Sequence, residues 1–292
     1  MDHLWLMLPF TASFLFVISN LCSKRAMDLG FGVLQSVFLT VWGMTLFFIP
    51  LVFWIQGPIP WNELWKPCLC GLLRLLAQLT ILWIYRKGDV SVVSPVLGSK
   101  VLIVSILVVI LLGETLTWTI WTAAALAVGA LIIMQDFSGR HPHLLQSVLL
   151  SLLAATLLSL VDVLFQKWSP SMGFPLFGFV TFFASGLFAL GLIPFFKKSK
   201  SPNFQLGLRW SLLASALIGL QAFLFMTAIG IWGNAAKVNI VYSLRGLWSV
   251  LLVWMAGHWF SNTEMQAGRS IMIRRLIGAA LLFAAAALVL GS

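Results

Sequence analysis

Residues 101–112 read Val-Leu-Ile-Val-Ser-Ile-Leu-Val-Val-Ile-Leu-Leu, and residues 276–290 form a second run of the same kind, broken only by Gly278. Neither run alternates apolar with polar residues, as the ~10-residue strands of a membrane β-barrel do. Each is therefore read as part of a helix buried on all sides by hydrocarbon or by other helices. The pattern recurs outward from these two runs along the whole chain. Of the 292 residues, 61% are hydrophobic and 9% are charged, with a mean hydropathy of +1.02. An average soluble domain is roughly 45–50% apolar and about 25% charged, and a folded chain of this size keeps a large polar-faced exterior. These figures exclude a soluble enzyme, and the high hydrophobicity excludes a disordered chain.

A membrane-spanning helix needs about 20 mostly apolar residues. Ten such stretches are predicted: 4–26, 32–55, 66–86, 89–112, 115–136, 144–167, 174–196, 206–231, 233–259 and 270–291. Clusters such as Gly57-Pro58-Ile59-Pro60 and Gly139-Arg140-His141-Pro142 separate them. The first stretch is too long for a signal h-region and lacks a basic flank, so it is read as a permanent helix. Cys22, Cys68 and Cys70 lie in apolar surroundings and form neither a disulfide framework nor a metal site. Trp5, Trp54, Trp61, Trp65, Trp118, Trp121, Trp168, Trp210 and Trp259 fall near span ends, where aromatic belts anchor helices at the interface.

The net charge of +10 is assigned to topology rather than to nucleic acid. Loops after odd-numbered spans hold most of the Lys and Arg, among them Lys24, Arg25, Arg86, Lys87, Lys197, Lys198 and Lys200. The opposite loops hold Lys66 and Lys167. The positive-inside rule puts the basic side in the cytoplasm and both termini outside.

The two halves also resemble each other. Ser19-Asn20-Leu21-Cys22-Ser23-Lys24 precedes Gly30-Phe31 as Asp162-Val163-Leu164-Phe165-Gln166-Lys167 precedes Gly173-Phe174. Gly88-Asp89 precedes Lys100 as Gly233-Asn234 precedes Arg245. The expected fold is an all-α integral membrane protein of ten transmembrane helices, built as two five-helix repeats, 1–139 and 140–292, around a central cavity. An odd number of spans inverts the second repeat, a plan typical of secondary transporters with a site near the midplane.

Gly88-Asp89-Val90-Ser91-Val92-Val93-Ser94-Pro95, followed by a helix ending Leu111-Leu112-Gly113-Glu114-Thr115-Leu116-Thr117, resembles helix 4 and its junction with helix 5 in EamA-like members of the drug/metabolite transporter superfamily. The second half has Ala256-Gly257-His258-Trp259 where a second Gly-Glu would stand. The resemblance implies a carrier of amino acids, metabolites, drugs or nucleotide sugars. It also implies termini inside and a basic tail, whereas this chain ends Val289-Leu290-Gly291-Ser292.

Charged side chains within a span cost at least ~2.5–3.5 kcal/mol each and face a cavity or a partner. Five stand out: Arg74, Lys100, Asp162, Lys237 and Arg245. Lys100 and Arg245 lie about 11–12 residues into their spans, roughly 17 Å deep. They are the leading pair for an anion clamp, Arg as a planar fork and Lys as a point charge. The alternatives are a salt bridge to Asp162 or snorkelling. Asp162 has three readings: neutralising a cation, carrying a coupling proton, or binding an amine. Arg74 and Lys237 are read as shallower, with snorkelling as their bland role. Gln78 follows Arg74 by one turn on the same face. Tyr242, Asn20 and Gln221 are candidates to orient a ligand. Glu114 is expected to cap helix 5, with a gate-related role as the alternative. There is no phosphate-binding Gly-rich loop and no zinc pattern, and His3, His141, His143 and His258 fall near ends or in loops.

No cofactor, metal or nucleic acid is expected. The expected partners are the lipid bilayer, a small-molecule substrate and a coupling proton, with the protein in the cell (inner) membrane. The leading function is secondary active transport of a small anionic or zwitterionic metabolite. The rival is a membrane-embedded enzyme acting on lipid, which would need catalytic groups converging at one interface.

Overall fold

The computed structural model describes residues 4–87, 96–134, 144–196, 202–256 and 269–291. The Gly88–Pro95 stretch, the Gly257–Trp259 part of the second-half junction and all four histidines lie outside the described residues. Every regular element among the described residues is helical. The α-helices are α1 (Met7–Asp28), α2 (Val33–Phe48), α3 (Trp65–Lys87), α4 (Lys100–Leu107), α5 (Trp118–Ile133), α6 (Leu144–Met172), α7 (Phe174–Ala189), α8 (Phe204–Trp232), α9 (Ala235–Tyr242), α10 (Arg245–Ala256) and α11 (Arg269–Leu290). In hydrocarbon a helix satisfies its own backbone, so runs this apolar leave little alternative.

Six segments are long and apolar enough to cross a membrane: Leu4–Asp28, Val33–Trp54, Trp61–Ile81, Leu145–Met172, Phe174–Phe195 and Phe204–Trp232. Val96–Leu112, Trp118–Ile133 and Leu276–Leu290 are shorter apolar helices. The sequence drew the ninth span as one helix, but the structure divides it between α9 and α10 at Ser243-Leu244. The fourth is interrupted at Ser99. α2 and α7 each finish in a 3-10 turn, Ile49–Trp54 and Leu190–Phe195, and each turn holds a proline, Pro50 and Pro194. A proline ring cannot donate to the helical ladder, so the last turn tightens rather than running on.

Small residues let the helices approach closely. Gly43 of α2 lies against Ser215 of α8, and Gly219 lies against the Gly43 backbone. A Cβ at Gly71 of α3 would meet the Thr181 carbonyl oxygen of α7 at 2.5 Å. Ala123, Ala124, Ala127 and Ala130 of α5 are fully buried, as is Ala285 of α11, and the two helices pack together. Hydroxyls lock these contacts. Ser19 Oγ donates to the Ala214 carbonyl at 2.9 Å, and Thr45 Oγ1 donates to the Phe182 carbonyl at 2.8 Å. The closest helix pairs, α1 with α8, α2 with α8, α3 with α6 and α5 with α11, all join the first half of the chain to the second. The halves therefore interlock around a shared centre, and the intramembrane charges lie there.

Candidate functional site

Two helix interruptions position the cations. After the turn at Ser99, Lys100 is the first residue of α4. After the turn at Ser243-Leu244, Arg245 is the first residue of α10. At both turns the serine hydroxyl donates back to the carbonyl three residues earlier: Ser99 Oγ to Val96 and Ser243 Oγ to Ile240, each at 2.6 Å. Such local bonds compete with the helical ladder and favour a bend. A helix N-terminus already carries partial positive charge. A cation there adds like charge to like, an arrangement that calls for an anion.

Lys100 has its anion. Its ammonium is 2.7 Å from Asp162 Oδ2 on α6, with side-chain exposures of 10% and 2%. Asn239 Nδ2 of α9 donates to the same carboxylate oxygen at 2.8 Å and to the Ala235 carbonyl at 3.0 Å. The ammonium also lies 5.1 Å from the centre of the Phe225 ring. Of the alternatives open for these residues, the pairing of Lys100 with Asp162 is what this structure contains.

Arg245 has aromatic faces and a hydrogen bond with the Tyr242 side chain instead. Its guanidinium carbon is 5.1 Å from the Phe16 ring centre and 5.0 Å from that of Tyr242. The Tyr242 ring is itself packed on Phe16 and Phe225. Arg74 is deeper than its sequence position suggested, with 9% exposure. The small residues of α2, α3 and α7 hold those helices close, so the side chain has no path to an interface. Its Nη2 donates to Met44 Sδ at 2.8 Å, its guanidinium sits 4.6 Å from the Phe182 ring centre, and its buried Nε has no hydrogen-bond partner. Among the described residues no carboxylate lies within ion-pair distance of Arg74 or Arg245.

The other sequence candidates take graded positions. Lys237 is half-buried in the first turn of α9, and its backbone N–H donates to Asn234 Oδ1 at 3.2 Å. Gln78 is half-buried, one turn beyond Arg74. Asn20 is exposed, one turn beyond Phe16 and on the same helix face. Gln221 is 6% exposed, one turn before Phe225.

One end of the bundle is tied shut. Gln166, one turn beyond Asp162 on α6, donates from Nε2 to Glu114 Oε1 at 2.9 Å and accepts from the Ala235 N–H at 2.8 Å. Glu114 was expected to cap the helix after it. That helix begins at Trp118 with Thr117 as N-cap, and Glu114 reaches α6 instead because Gly113, at φ 72°, turns the chain away first. Lys167 Nζ donates to the Leu111 carbonyl at 2.9 Å, and Trp5 stacks on Trp232 at 5.9 Å. Asp162–Asn239 and Gln166–Ala235 thus form two rungs between α6 and α9.

Sequence reasoning missed the aromatic walls, Phe16, Phe182 and Phe225, and the roles of Asn239 and Gln166. For Gln166 a signal was present, since it shares a helix face with Asp162. For the rings, none of the 23 phenylalanines is set apart by spacing.

Residues 3–135 match the model of the EamA-like transporter family. The match spans a little under half of the chain and falls wholly in its first half. EamA-like proteins are part of the drug/metabolite transporter superfamily, whose members are transporters and not enzymes. The apolar helices and this match indicate a multi-pass integral membrane protein, and the match suggests a membrane transporter of this type. No curated protein matches the chain. A solved crystal structure, described only as that of a protein, shares 16% identity with it at a TM-score of 0.72, covering 97% of each chain. That likeness shows a fold shared with that protein over nearly the whole of both chains.

Proposed function

We propose that the protein is a secondary active transporter that moves a small anionic or zwitterionic metabolite by alternating access. In this reading ten spans form two inverted five-helix repeats, residues 1–139 and 140–292, in the cell (inner) membrane. The paired serine turns before Lys100 and Arg245 support the repeat, as do the paired proline-bearing 3-10 ends of α2 and α7. Interrupted helices at the midplane are where carriers of this plan hold their cargo.

The observation that carries the proposal is the imbalance of charge among the buried Arg74, Lys100 and Asp162 and the half-buried Arg245. Lys100 and Asp162 neutralise each other, while Arg74 and Arg245 meet ring faces and a thioether rather than a carboxylate. An unpaired buried charge costs several kcal/mol, so such an arrangement is retained for an anion that comes and goes. Arg245, Arg74 and Lys100 bind the acid group. Tyr242, Gln78 and Asn20 orient the remainder, and Lys237 stands at the end where the cavity closes. An anion reaching Lys100 competes with Asp162, and the released carboxylate is the group that would carry a coupling proton. The end tied by Glu114, Gln166 and Ala235 is the closed gate, and the reverse state requires those bonds to part.

The test is uptake into proteoliposomes of a labelled panel of amino acids, carboxylates and phosphorylated compounds. Wild type should accumulate at least one anionic or zwitterionic member, and Arg245→Ala and Lys100→Ala should lose that uptake. Equal uptake by all three proteins would end the clamp reading. Turnover of lipid without uptake would favour an enzyme.

A further inference from the structure

Lys100 and Asp162 cancel at 2.7 Å, so a substrate with one negative charge would still leave one guanidinium unanswered. Arg245 and Lys100 share the packed Tyr242–Phe225 ring pair, and Met44 and Phe182 beside Arg74 belong to the same buried cluster as those rings, which brings both arginines to one centre. Each approaches that centre from a different half of the chain, Arg74 on α3 and Arg245 on α10. A guanidinium has five N–H donors in a planar fork made for two acceptor oxygens. The thioether of Met44 is a weak acceptor, the ring faces of Phe16 and Phe182 attract a cation without accepting strong hydrogen bonds, and the Tyr242 hydroxyl bonded to Arg245 is neutral and brings no charge to answer the guanidinium. The Nε–H of Arg74 is buried with nothing to donate to, in a side chain 9% exposed. Buried donors are rarely left so in the finished complex. Asp162 cannot serve for all, since its Oδ2 already takes the Lys100 ammonium and the Asn239 amide.

Resting on the anion-site reading above, we infer that the substrate carries two separate acid groups, one held in the fork of Arg74 and the other in that of Arg245. Its class is a dicarboxylate or a phosphorylated acid rather than a zwitterionic amino acid. The Lys100–Asp162 pair stands between the two forks as a neutral pair until an acid group competes for the ammonium.

The test uses purified full-length protein in detergent and linear dicarboxylates of four to seven carbons, each against its own monoamide, which keeps the length and removes one charge. Binding is read by ligand-dependent thermal shift and by counterflow in proteoliposomes. At one or more lengths wild type should prefer the diacid by about tenfold or more, as expected for one charge-assisted hydrogen-bonded group. Arg74→Gln should bring diacid and monoamide to equal affinity while monoamide binding persists, and Arg74→Lys should restore part of the preference. Equal binding of diacid and monoamide by wild type at every length would overturn the two-acid inference and leave the anion site standing. If neither these nor inorganic phosphate and phosphorylated acids bind at all, the anion reading itself fails. The wild-type comparison needs no variant to fold.

Discussion

Lys100 and Arg245 stand at matching turns in spans four and nine, each following a serine that bonds back to its own helix, yet their surroundings differ. Lys100 is locked to a carboxylate that is itself held by an amide from α9. Arg245 lies among rings. One local design thus serves two purposes. The lysine ties α4 to α6 in this state, and gives up that tie only to an anion that competes with Asp162. The arginine bonds only to the neutral Tyr242 side chain among its described neighbours, so its charge is left for something that arrives from outside. Arg74, reached by a different helix, shares the condition of Arg245.

The largest effect expected from breaking this contrast is on transport. Arg245→Gln should reduce anion uptake by more than tenfold, since a charge-assisted bond contributes about 1.5–3 kcal/mol, while leaving the unfolding midpoint in detergent within a few degrees of wild type. Asp162→Ala should act on stability instead, costing about 3–5 kcal/mol by stranding the Lys100 ammonium. The double variant Lys100→Met with Asp162→Leu should recover most of that loss, as urea or thermal unfolding would show. If the single variant were as stable as wild type, the two cations would not differ as described.

Smaller effects sharpen the picture at the tied end. Gln166→Leu removes the acceptor of the buried Ala235 N–H and should cost about 1–3 kcal/mol. It should also raise thiol-reagent labelling of a cysteine placed at Thr115, because that end opens more often. Smallest should be Ser243→Ala and Ser99→Ala, each within about 1 kcal/mol of wild type. If either one straightened its span and abolished uptake, the serine would set the break by itself.

The spans were legible because apolar runs long enough for a bilayer have no other solvent, and the charged site residues were legible because so few charges lie among them. Depth was less so: Arg74 was placed near an interface by counting residues, but close packing at Gly43, Gly71 and Gly219 holds its helix neighbours so tightly that it stays inside. Partners were least legible. Asp162 to Asn239 and Gln166 to Ala235 are contacts between distant stretches of chain, set by how α9 lies on α6, and helix periodicity says nothing of that. Glu114 fits a helix-capping pattern in the sequence, and only the left-handed Gly113 shows that it turns elsewhere. The exposure of Asn20 and the burial of Gln221 likewise follow from how α1 and α8 pack.

The most direct measurement is counterflow of a labelled dianion in proteoliposomes holding wild type, Arg74→Gln, Arg245→Gln or the double variant. Wild type should exchange it, each single variant should lose most of the exchange, and the double variant should lose little more than either single one, because both forks hold one molecule. Full exchange by both single variants would contradict the account that the two unpaired arginines are kept for the cargo.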